Sequence, residues 1–202
     1  MASNEHRNLT GAQLHAPKGF VNAPIGTYPI KQSANTLTWG GVVRLPIGGY
    51  IRMSSDRHYF KSAMDNYYWT AYDSTTDAST LADMSPLDLI RSAIFLPHAA
   101  CYINKMTIWA RGTAGETANI RLFKTDAALA NDSSSDINVT KIGSDFALAP
   151  DDANKSYKLS QTFTSTTGAL AIDQIPFITC SGCDGTQQFI YVTGFIEIII
   201  TA

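Results

Sequence analysis

Gln188 to Thr201 reads Q-F-I-Y-V-T-G-F-I-E-I-I-I-T. Ile190, Val192, Ile196, Ile198 and Ile200 share one parity, interrupted only by Gly194. At the two-residue period of a strand these positions form a single apolar face, whereas a helix would scatter them around its circumference. The other parity, Phe189, Tyr191, Thr193, Phe195, Glu197 and Ile199, is mixed and suits the surface or a partner subunit. β-Branched and aromatic side chains fill nearly the whole run, as a pleated, packed surface favours. The run is too short to cross a membrane as a helix, and Thr193, Gly194 and Glu197 break it. A long strand placed last must pair with strands made earlier, so a sheet-rich domain held by non-local contacts is expected.

Upstream, strand candidates recur at short intervals. Arg91 to Leu96, Tyr102 to Ala110 and Asn119 to Thr125 are separated by Pro97-His98 and by Gly112 to Gly115, the spacing of a meander or sandwich. Asn131 to Asp136 reads as a loop, and Ile137 to Leu148, Ser156 to Thr164 and Ala169 to Ile178 read as further strands. Nearer the start, Val42 to Met53 contains Pro46, Gly48 and Gly49 and is expected to form two short strands joined by a turn. Tyr59 to Tyr72 is crowded with aromatics; in a strand, Tyr68, Thr70 and Tyr72 face one side and Tyr67, Trp69 and Ala71 the other. Ser74 to Ser85 reads as a polar loop. Ser85-Pro86-Leu87-Asp88 then supplies an N-cap and a first-position proline for one helical turn, and no longer helix is indicated. Roughly eight to ten strands result, which predicts an all-β chain folded as a β-sandwich or jelly roll.

The composition bounds the function. At 202 residues the chain suits one domain with or without an arm, and 45% hydrophobic with only 16% charged residues leaves Ser, Thr, Asn and Gln to supply much of the surface polarity. That balance is common in all-β proteins assembled from many subunits. The first 57 residues carry six Lys and Arg against two acidic residues, and the remainder carries nine against fifteen. Such a start suits an acidic protein surface and is too sparsely basic for a nucleic-acid arm. Met1 to Thr10 is polar throughout, so synthesis in a cytoplasm without a standard export signal is expected.

Residues 1–40 carry little periodic apolar pattern but many breakers: Gly11, Pro17, Gly19, Pro24, Gly26, Pro29 and Gly40. They are expected to be an extended arm that orders against something else, with the strand-forming body at 41–202 beginning after Trp39. Within them, Asn8-Leu9-Thr10-Gly11-Ala12-Gln13-Leu14-His15-Ala16-Pro17-Lys18-Gly19-Phe20 is followed by Thr27-Tyr28-Pro29-Ile30-Lys31 and Thr36-Leu37-Thr38-Trp39. This ordered set resembles the N-terminal pattern of small virion structural proteins of tailed bacteriophages, marine ones especially. Ile94-Phe95-Leu96-Pro97-His98 and Ile103-Asn104-Lys105-Met106-Thr107-Ile108-Trp109 are similar, more loosely, to the β-sandwich bodies of such proteins.

The resemblance implies a capsid decoration or cement protein located on the virion and made in the host cytoplasm. Its partners would be the major capsid protein or other virion proteins. Leu9, Gln13, Leu14, His15, Pro17, Lys18, Phe20, Lys31 and Trp39 would form the attachment arm, and a homo-oligomer, first of all a trimer, would present it. Fibre proteins can use a similar arm, so a tail-fibre or receptor-binding protein that recognises a host glycan is the alternative. A tail-associated carbohydrate-degrading enzyme is a further rival.

No motif in the sequence assigns a catalytic residue, metal or cofactor. His6, His15, His58 and His98 fall in no metal-binding frame. Cys180-Ser-Gly-Cys183 has CxxC spacing but no second ligand pair, so buried or loop thiols are the plainer reading of Cys101, Cys180 and Cys183. His98 and Cys101 are three apart, yet nothing adjacent orients a base, and a turn histidine beside a buried thiol fits as well. Asp132, Ser134 and Asp136 mimic the start of a calcium loop without its glycine or distal glutamate. Among the aromatics, Tyr59, Tyr67, Tyr68, Trp69 and Tyr72 suit either a glycan contact or a core and subunit contact.

Overall fold

The computed structural model describes residues 28–33, 36–54, 57–61, 68–76, 81, 83–127, 136–182 and 187–201. Its elements are β1 (Tyr28–Ser33), β2 (Thr36–Met53), β3 (Arg57–Lys61), β4 (Trp69–Thr76), β5 (Asp83–Met84), α1 (Pro86–Ser92), β6 (Cys101–Arg111), β7 (Ala118–Thr125), β8 (Ile137–Leu148), β9 (Tyr157–Thr162), β10 (Ala169–Leu170), β11 (Pro176–Ser181) and β12 (Gln188–Thr201). The chain divides into two compact units, residues 1–41 with Ala202 and residues 42–201. In the first, β1 pairs antiparallel with the start of β2, with Pro29 opposite Trp39 and Lys31 opposite Leu37. Among the described residues strand structure is thus present from Tyr28, ahead of the Trp39 boundary expected from the sequence.

Residues 42–201 form two antiparallel sheets packed together as a β-sandwich. In one, β2, β12 and β6 lie side by side, and both β9 and β10 pair with the far side of β6. In the other the order is β4-β3-β11-β7-β8-β5. Between them Ile51, Met53, Ile103, Ile108, Ile120, Leu122, Ile178 and Ile196 have almost no exposed surface. On β12, Ile190, Val192, Ile196 and Ile198 are buried and Phe189, Tyr191 and Thr193 are exposed, as the alternation predicts. Gly194 occupies the inward parity because a Cβ there would run into the Thr107 carbonyl of β6. The inward parity of β6 itself switches, from Cys101 and Ile103 to Met106, Ile108 and Ala110. A bulge at Asn104 causes the switch, since Glu197 pairs with Lys105 while Ile198 pairs with Ile103.

The second sheet has a second apolar layer on its other face. Phe60, Phe123 and Phe177 gather there with Leu81, Met84, Leu89, Val139 and Ile175. Phe123 and Phe177 stack with centroids 5.5 Å apart. α1 supplies Leu89; Ser85 caps it, its Oγ accepting from the Asp88 N–H at 3.3 Å with Pro86 next in line. Beside this layer, His58 is buried with Nδ1 3.2 Å from Thr179 Oγ1.

Several local expectations are corrected. Val42–Met53 belongs to one continuous strand, because Pro46 is exposed and costs only an N–H donor, and Gly48 meets nothing closer than ordinary contact. Arg91–Leu96 is no strand: α1 takes Arg91 and Ser92, and Ile94 makes a backbone bond to Pro176 without entering a ladder. Ser74–Ser85 is not wholly loop, since β4 runs to Thr76 and β5 pairs with β8. Ala169–Ile178 splits into β10 and the start of β11.

Candidate functional site

The outer face of the β2-β12-β6 sheet carries the exposed aromatic side chains. Tyr50 on β2 lies 4.8 Å from Tyr191 and 6.1 Å, stacked, from Phe189 on β12, centroid to centroid. Tyr68, beside β4, meets Tyr50 edge-on at 5.8 Å, where a short parallel bridge joins the two backbones. Tyr68 and Tyr191 are each 52% exposed and Phe189 37%, so three rings open to solvent gather around the half-buried Tyr50.

A second aromatic pair lies further along the same face. Trp109 of β6 and Phe195 of β12 sit 6.4 Å apart. Arg44 caps the Phe195 ring at 5.2 Å and Lys158 the Trp109 ring at 5.7 Å, both within cation–π range. Arg44 Nε also donates to Glu197 Oε2 at 2.9 Å, and the bulged Asn104 donates its amide to Glu197 Oε1 at 2.6 Å. The Asn104 hydrogen bond holds the Glu197 carboxyl below its ordinary value against the opposing effect of partial burial, and Arg44 adds to it.

Between the two groups runs an open groove of about 580 Å³ along Tyr191–Thr193, bordered by Gly48, Gly49, Trp109 and Arg111. The Arg111 guanidinium is fixed against the turn after β8, donating through Nε to the Ala153 carbonyl and through Nη2 to Asn154 Oδ1 at 3.0 Å.

The sequence-predicted residues separate. Of the described side chains in the aromatic set, Tyr68 is the one on the surface. Tyr59 and Trp69 belong to the core at 4% exposure, Tyr59 accepting from the Ser54 N–H at 2.9 Å and Trp69 Nε1 reaching the Gly48 carbonyl at 3.4 Å. Tyr67 and the Tyr72 side chain lie outside the described residues, as do Leu9, Gln13, Leu14, His15, Pro17, Lys18 and Phe20. Lys31 and Trp39 lie on the β1–β2 hairpin. Tyr50, Trp109 and Arg111 escaped sequence reading, although each stands at the outward parity of its strand.

Among the described residues the other chemical candidates form no reactive cluster. Burial pushes the Cys101 thiol up to about 11, so it stays protonated at neutral pH, and His98 is exposed. Cys180 is buried in β11, while Cys183, Asp132 and Ser134 lie outside the described residues. Among the described residues no three His, Cys, Asp or Glu side chains gather as a metal site. Among the described residues the most buried charge pairing is that of Arg121: 3% exposed, it donates to Asp145 at 2.9 Å and to Ser181, and Lys141 reaches Asp145 at 2.6 Å. Burial would raise the Asp145 carboxyl, but the hydrogen bonds from Lys141 and Arg121, with their charges, hold it below its ordinary value.

No protein-family model matches this chain, and no curated protein does. Among solved structures it is similar to one of the Gx strain of infectious bursal disease virus, at 10% identity and a TM-score of 0.41 over 85% of this chain and 36% of that one. It is also similar to the VP2 subviral particle of that virus, at 12% identity and a TM-score of 0.32 over 89% of this chain and 39% of that one. The chain thus spans little more than a third of the length of those proteins. Likeness at this level leaves function to the site and the sequence.

Proposed function

We propose that this chain is a bacteriophage virion structural protein, a decoration or cement protein that attaches to the capsid through residues 1–40 and stabilises the shell. The observation that carries this reading is the ordered set Asn8–Phe20, Thr27–Lys31 and Thr36–Trp39, which resembles the N-terminal pattern of phage virion proteins. It precedes a body, residues 42–201, with a core of its own. The mechanism is binding. Leu9, Leu14, Pro17, Phe20 and Trp39 bury against the major capsid protein or another virion protein, with Lys18 and Lys31 aligning the arm electrostatically. A homotrimer multiplies modest single contacts by avidity. Gln13 and His15 supply polar contacts in the same segment.

Particles depleted of the protein provide the test. Full-length chain should restore occupancy, and Leu14→Ala with Phe20→Ala should lower it while leaving thermal stability unchanged. A loss of about 1.4 kcal/mol per arm is tenfold per site. Deletion of residues 1–40 should abolish binding; full occupancy by the truncated chain would instead place attachment on the body.

A second reading has its own observation. The exposed rings of Tyr68, Phe189 and Tyr191, gathered around the half-buried Tyr50, are a surface that a tail-fibre or other receptor-binding protein would use on a host glycan. Binding on a glycan array without turnover favours it over both the decoration role and a carbohydrate-degrading enzyme.

A further inference from the structure

We propose that the groove along Tyr191–Thr193 is a binding site for an acidic oligosaccharide, with Trp109 and Tyr191 as stacking planes and Arg111 as the partner of the sugar carboxylate. This rests on the receptor-binding reading and assigns it a site and a ligand class. The groove exists because of one missing side chain. On β2 the outward positions are Pro46, Gly48, Tyr50 and Arg52, and only position 48 presents no side chain. The gap opens beside Thr193, and its volume of about 580 Å³ lies within the roughly 300–1,000 Å³ range of ligand sites.

The β6–β12 register places the chemistry around that gap. Thr193 stands opposite Trp109, and Tyr191 opposite Arg111. Trp109 and Tyr191 are therefore diagonal neighbours whose backbone positions stand about 7–8 Å apart along the sheet, and both side chains line the groove. Aromatic faces take the apolar C–H face of a pyranose, and the Thr193 and Ser156 hydroxyls are placed for its hydroxyl groups.

Charge selects an acidic sugar over a neutral one. Among the described residues that line the groove Arg111 is the charged one, and a second cation, Lys158, stands over Trp109. The two bonds of Arg111 to Ala153 and Asn154 hold the guanidinium plane in place while engaging only two of its five N–H donors, which leaves others for a carboxylate.

Titration of the full-length chain with sialyllactose and with oligogalacturonate, against lactose as the neutral control, tests the assignment. At least one acidic probe should bind tenfold or more tighter than lactose. Trp109→Ala and Arg111→Gln should each weaken that binding by tenfold or more. Gly48→Leu is the decisive variant. A Cβ at Gly48 meets only the Val192 carbonyl, at 3.5 Å, so the fold should tolerate the substitution and melt as before while the side chain fills the groove and blocks binding. Acidic-glycan binding that survives both Gly48→Leu and Trp109→Ala overturns the groove but leaves the receptor-binding reading standing. Binding of lactose as tight as the acidic probes overturns the role of Arg111. Absence of binding by either acidic probe overturns the proposed site outright.

Discussion

β11 and β12 are both interior strands of their sheets, yet every residue of β11 is buried while β12 alternates. The difference lies in what covers each sheet. The outer face of the β11 sheet is closed by α1, Leu81 and Met84, so Phe60, Phe123 and Phe177 become a second core. On the β12 sheet, Tyr50, Phe189 and Tyr191 make ring contacts of similar spacing but remain accessible. Similar aromatic clustering thus serves stability on one side of the sandwich and leaves an accessible aromatic surface on the other.

The sharpest way to break this contrast is to place a charge on each face of β12. Ile196→Asp or Ile198→Asp buries an unpaired carboxylate and should cost several kcal/mol, enough to unfold a domain whose stability is on the order of 5–15 kcal/mol. Phe189→Asp, on the other parity, should stay within about 1 kcal/mol in urea denaturation. Equal losses would mean that the two faces are not distinct.

Next in size, Phe123→Ala or Phe177→Ala should cost about 3–5 kcal/mol by opening a cavity in the second core. Tyr191→Ala should forfeit only ring contacts worth about 0.5–1.5 kcal/mol. Chemical denaturation of the three variants in one buffer ranks them.

The smallest expected effects concern charge. Asp145 and Glu197 both have folded-state pKa values below their unfolded ones. Each therefore contributes stability that is complete above the unfolded carboxyl value, about 4, and is lost as pH falls through the folded value. Asp145→Asn should flatten the acid limb of the stability profile and cost about 1–3 kcal/mol at neutral pH, because it strips a carboxylate from the buried Arg121. Glu197→Gln should cost less, since Arg44 is 67% exposed and water replaces its partner. Thermal melts from pH 3 to pH 7 should show the larger slope change for Asp145→Asn.

Legibility in the sequence followed the same divide. The alternation of β12, the extents of β6 to β9 and the Ser85-Pro86 cap could be read because local pattern alone determines them. β11 shows no alternation, and a strand buried twice gives no sign of which face meets which layer. Tyr59 and Trp69 suited either a glycan contact or a core contact, and their burial is the core alternative. The parity switch between Ile103 and Met106 was a readable sign of a bulge in β6. The groove was not readable, because Gly48, Trp109 and Tyr191 are far apart in the chain and meet only through the β2-β12-β6 order.

The claim that this is a virion protein held by its first 40 residues is tested most directly by a cryo-EM reconstruction of the intact particle. The account predicts a β-sandwich body on the capsid surface, with residues 1–40 laid against the shell and the Tyr50–Tyr191 face turned away from it. A body seated on the shell through that aromatic face, with residues 1–40 making no contact, would contradict it.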